Sequence, residues 1–90
     1  MMEDKTPAAF VALLEKYGAM MSIENVCEVL RICRTDAQYI VNKKRLLTPL
    51  GSPKANSVKW FSTFTISGLI VNENWLNKVR RAVQTSADER

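Results

Sequence analysis

Between Thr35 and Lys43 the chain spaces its polar side chains so that they share one face of a helix. On a wheel of about 100° per residue, Ala37, Ile40 and Val41 fall on one side, and Thr35, Gln38, Tyr39, Asn42 and Lys43 fall on the other. Gln and Asn side chains can bond bidentately to adenine edges, and Lys can donate to guanine acceptors. Thr and Tyr suit phosphate or thymine-methyl contacts. A helix N-terminus also attracts phosphate, and Arg34 sits beside this one. The plain alternative is an amphipathic helix with a solvated face.

Positioning such a face requires a supporting helix, and the preceding residues supply its pattern. Ser22 has the type of an N-cap, and Ile23, Val26, Cys27 and Leu30 follow at i, i+3, i+4 and i+7. The periodicity breaks at Ile32-Cys33-Arg34 and restarts at Thr35, where Thr35 and Gln38 have the spacing of a capping box. Two short helices joined by a tight turn over 22–45 satisfy the spacing of a helix-turn-helix.

After Arg45 the composition changes. Residues 46–50, with Pro49 confining them to an edge, and residues 58–61 read as two strands around the turn-rich segment 51–57. That predicts a hairpin wing, with Lys54 at its tip and Lys59 on the outer side of its return strand, both suited to phosphate. Met20 and Met21 read as flexible filler ahead of Ser22.

The flanks are helical. Thr6-Pro7 is a helix start, followed by Phe10, Leu13, Leu14 and Tyr17 at helical spacing and closed by Gly18. Residues 62–71 carry both signals: the alternation of Phe64 and Ile66 favours a strand, Ser62 as N-cap with Ile66, Leu69 and Ile70 favours a short helix, and the residues alone leave the two open. Asn72 then caps a final helix to about Gln84, with Trp75, Leu76, Val79, Ala82 and Val83 on its apolar side and a polar tail beyond. The expected fold is therefore mainly α with a small β-hairpin wing. It is one winged helix-turn-helix domain over 1–90, with a core at 22–71 and extra helices at 7–17 and 73–84.

Charge is segregated. Residues 31–59 hold seven lysines and arginines against the single Asp36, whereas residues 1–30 hold two lysines against five carboxylates. A basic middle on an otherwise balanced chain fits a nucleic-acid surface or a solvated basic face.

Several classes fit poorly. The chain has no histidine and two cysteines six apart, too few ligands for a metal site, and no export signal that would favour a disulfide. Cys27 falls on the buried stripe and Glu24 and Glu28 form a solvated i, i+4 pair, so no nucleophile or acid–base set stands out. No glycine-rich phosphate loop or membrane-length apolar run occurs. A non-enzymatic cytoplasmic protein without cofactors is expected.

The order of parts also carries a resemblance. Glu24, Val26, Leu30, Ile32 and Arg34, then Lys44-Arg45-Leu46, then Val58-Lys59-Trp60 resemble the motifs of the excisionase and AlpA-like branch of the MerR-like winged-helix DNA-binding proteins, over about residues 22–70. Lys44 stands where that family has glycine, and Thr65-Ile66 replaces its acidic-Ile pair. The resemblance implies a phage- or plasmid-type protein that binds and bends double-stranded DNA, either assisting an integrase as a recombination directionality factor or regulating transcription. By position it assigns Arg34, Thr35, Gln38, Tyr39, Asn42 and Lys43 to the groove and Lys54 and Lys59 to the wing. The competing reading is an adaptor or homodimer that uses Trp75, Leu76 and Val79 as an anchor, since Trp is enriched at interface hot spots. The bland reading of those three is core closure.

Overall fold

A computed structural model describes residues 8–51 and 57–89, and within them the chain is mainly helical with one small antiparallel sheet. The order is α1 (Ala8–Tyr17), β1 (Met20–Ser22), α2 (Ile23–Leu30), α3 (Arg34–Asn42), β2 (Trp60–Ser62), α4 (Thr63–Ile70) and α5 (Glu73–Glu89). Residues 6 and 7 of the expected helix start, and Lys54 at the expected wing tip, lie outside the described residues.

The strands pair Met20 with Ser62, Met21 with Phe61 and Ser22 with Trp60, and the central Met21 and Phe61 are fully buried. Each strand runs directly into an eight-residue helix through a serine cap. Ser22 Oγ accepts from the Asn25 N–H at 3.2 Å while Asn25 Oδ1 accepts from the Ser22 N–H at 3.0 Å. Ser62 Oγ accepts from the Thr65 N–H at 3.2 Å. Such caps satisfy donors that the first helical turn leaves open. Buried positions repeat with an offset of forty: Met21 and Phe61, Ile23 and Thr63, Val26 and Ile66. In both halves a short turn then leads to another helix, so strand–helix–turn–helix occurs twice.

This arrangement corrects the hairpin expected over 46–50 and 58–61. Residues 46–50 form no strand, and the return strand pairs with β1 instead. Leu47 is drawn into the core, the Trp75 indole N–H donates to the Leu46 carbonyl at 2.8 Å, and Pro49 has no N–H to offer a ladder. One bond survives of the expected pairing, from the Leu50 N–H to the Trp60 carbonyl at 2.7 Å. The faces also invert: Phe61 points inward, Val58 and Trp60 are exposed, and Lys59 is half-buried. A strand's period of two makes its faces that sensitive to register.

The helix ends differ from expectation in two places. Arg31 adopts the left-handed conformation (φ 58°), and the Ile32 N–H bonds the Cys27 carbonyl at 3.1 Å. That early closure starts α3 at Arg34 with Cys33 as its N-cap and no side-chain cap bond, so Thr35 and Gln38 make no capping box. Asp36 then falls in the first turn, where the helix dipole favours a carboxylate, and it is buried. At the other end of the chain, α5 continues through Glu89 where a polar tail was expected after Gln84. Trp75, Val79, Ala82 and Ser86 form one buried stripe, which carries the helix past residues of modest helix propensity.

α1 stacks on α4. Phe10 meets Phe64 edge-on with centroids 5.4 Å apart, and the Thr63 hydroxyl donates to the Gly18 carbonyl at 2.6 Å. Gly18 ends α1 at φ 84°, its N–H on the Leu14 carbonyl at 2.9 Å, as its position predicts.

Candidate nucleic-acid interface

Arg34, Gln38 and Asn42 stand at i, i+4 and i+8 on α3 and form one stripe down its outer side. The stripe is one wall of a groove of about 430 Å³. Ile23 and Val41, both buried, belong to its lining, Glu24 of α2 stands at one side, and Ser57, Val58 and Lys59 ahead of β2 line it from the sheet side. Polar donors and acceptors from two sequence-distant segments thus face one another above an apolar base.

The Arg34 guanidinium pairs with the Glu24 carboxylate, and both side chains are about 60 % exposed (60 % and 61 %). Glu28, one turn along from Glu24, is engaged elsewhere: the Tyr17 hydroxyl donates to it at 2.7 Å. That bond, with some desolvation, raises the Tyr17 pKa above its usual value. The two glutamates therefore tie α2 to different neighbours and do not act as one acidic pair.

The remaining expected site residues divide. Thr35 and Lys43 are exposed at either end of α3 but outside the groove lining. Tyr39 is turned towards α5. It is half-buried against the core, its hydroxyl lies 3.5 Å from Glu89, and the Lys44 ammonium lies 5.8 Å from its ring centroid. Desolvation and the Glu89 carboxylate raise its pKa. Lys54 lies outside the described residues. The groove thus gathers Arg34, Gln38, Asn42 and Lys59, and adds Glu24, Ser57 and Val58. No local sequence signal marked Glu24 as the partner of a residue ten positions away across the turn.

Of the expected anchor residues, Trp75 and Val79 are buried core. Leu76 is the more exposed of the three, and with Val79 it lines a groove of about 290 Å³ shared with Leu30, Ile32 and Val83. Desolvation pushes the pKa of the half-buried Cys27 thiol up, which disfavours its thiolate, while Cys33 is exposed on the α2–α3 turn. Among the described residues, no three His, Cys, Asp or Glu side chains converge on a cation site, and no helix is long and apolar enough to cross a membrane.

Comparison of the chain with protein-family models, with curated proteins and with solved structures finds no match.

Proposed function

We propose that the protein is a non-catalytic, sequence-specific DNA-binding domain of winged helix-turn-helix type, with α2 the support, α3 the reading helix and the stretch between α3 and β2 in the place of the wing. The observation that carries this reading is the stripe Arg34–Gln38–Asn42 facing Lys59 across one groove. Gln38 and Asn42 are the two side chains able to bond an adenine edge bidentately, and Val58 offers an apolar contact for a thymine methyl. Arg34, Lys59 and the exposed Lys43 and Thr35 serve the phosphates. In role the domain is closest to a phage or mobile-element excisionase that bends DNA beside an integrase, with an AlpA-like transcriptional regulator as the alternative; the motif pattern over 22–70 supports both equally.

A gel shift of randomised duplexes at low and moderate salt tests the reading. Binding that weakens steeply with salt and enriches a common motif is expected. No shift at low salt would reject DNA as the ligand.

One observation favours an adaptor function in addition. Val11 and Leu14 on α1 and Phe64 on α4 are large apolar side chains left exposed on packed helices. Concentration-dependent light scattering on the free protein separates self-association through that face from a monomer.

A further inference from the structure

A basic groove of about 210 Å³ runs between the end of α3 and α5, lined by Lys44, Leu46, Lys78, Arg81, Ala82 and Thr85. Three cations, two from α5 and one from the turn after α3, converge there over an apolar base, and no carboxylate lines it. Lys78 and Arg81 are one turn apart, and neither has Asp or Glu three or four positions away on α5. A helix face that merely meets solvent is ordinarily interspersed with opposite charges, because like charges at this spacing repel. Here the repulsion is left standing and Lys44 is added to it from the turn that follows α3, its ammonium 5.8 Å from the Tyr39 ring centroid. Such an arrangement is relieved by an anion.

The place of the groove says which anion. α5 is the counterpart of α3 in the second strand–helix–turn–helix unit, and it packs beside α3 on the side that Tyr39 faces. This groove and the one lined by Gln38 and Asn42 therefore flank α3. A duplex that receives a helix in its major groove presents a sugar–phosphate backbone on each side of that helix. We infer that Lys44, Lys78 and Arg81 form a second phosphate-binding surface, which holds the backbone opposite the one met by Arg34 and Lys59. This deepens the DNA-binding reading and rests on it. The surface contributes affinity without reading bases.

The test compares log affinity against log salt for the full chain on a labelled duplex, by fluorescence anisotropy. Lys78→Gln/Arg81→Gln should lower the slope by about two, with sequence discrimination retained. Lys16→Gln/Arg80→Gln removes the same charge outside both grooves and should lower it by less than half as much. Gln is close to Lys and Arg in helix propensity, and circular dichroism verifies the fold of each variant. Lys44→Gln, lying outside α5, should lower the slope by about one. Equal effects of the two double variants would reduce the surface to net charge and overturn the inference, as would an unchanged slope. Wild-type protein that binds no duplex at low salt would instead overturn the DNA-binding reading itself, and this inference with it.

Discussion

Arg34 of α3 and Glu24 of α2 form an ion pair at the groove that also holds Gln38 and Asn42. With both side chains more than half exposed, solvent screens the pair, and its contribution to stability is between about 0 and 1 kcal/mol. A phosphate competes readily for Arg34 at that strength, so Glu24 acts as an internal rival of the DNA backbone. Glu24→Gln should therefore raise affinity for all duplexes, by roughly three- to tenfold at low salt, and alter stability by no more than about 0.5 kcal/mol. Anisotropy titrations and urea melts measure the two effects. Weaker binding by Glu24→Gln would show that the pair positions Arg34 for its ligand.

Arg31 and Arg45 both hold left-handed backbone, at φ 58° and 53°. A side chain in that region costs roughly 1–2 kcal/mol, and glycine avoids the clash at some cost in unfolded-state entropy. Arg31→Gly and Arg45→Gly should each stabilise the fold by about 0.5–1 kcal/mol in urea denaturation. A loss of stability would mean that the arginine side chains make compensating contacts.

Trp75 joins α5 to the loop after α3 through its bond to the Leu46 carbonyl. Trp75→Phe keeps an aromatic ring in the core but leaves that carbonyl without its donor. It should destabilise by about 1–2 kcal/mol, independently of protein concentration. Were Trp75 an interface anchor, the variant would change association and leave the monomer's melting temperature alone.

Cys27 and Tyr17 give stability an alkaline pH dependence. Cys27 has its folded pKa raised above 9.0 chiefly by burial, and Tyr17 above 10.0 chiefly by its bond to Glu28. For a group raised on folding, the stabilising form is the protonated one. Its contribution is complete below the unfolded pKa and is lost as pH rises through the folded value. Stability should decline from about pH 9 upward on these two groups. At pH 8 a thiol reagent should label exposed Cys33 well before Cys27. Equal labelling rates in the native protein would contradict the partial burial of Cys27.

What could be read in the sequence follows physical range. α1, α2 and α5 announce themselves through apolar stripes, and Ser22, Ser62 and Asn72 through local caps that need no distant partner. Asn72 Oδ1 does accept the Trp75 N–H at 3.0 Å. Gln38 and Asn42 were legible on one face because helical spacing alone places them there, whereas Arg34 joins their stripe only because α3 begins earlier than its pattern suggests. The sheet was not: strands of three residues have no usable period, and the partners of Met20–Ser22 lie forty residues on. Leu46 and Leu47 look like strand residues until α5 is in place to take them. Tyr39 shares the outer face on a wheel, and only the extra turns of α5 to Glu89 claim it.

Asn42 bears the central claim, since it stands in the groove with a side chain suited to one base edge. The deciding measurement is the affinity of wild type and Asn42→Ala for a duplex selected from a random pool, set against a scrambled duplex of the same length. Loss of about 1–3 kcal/mol on the selected duplex, with the scrambled one nearly unchanged, is the predicted result. Equal losses on both duplexes, or none on either, would contradict base reading by α3.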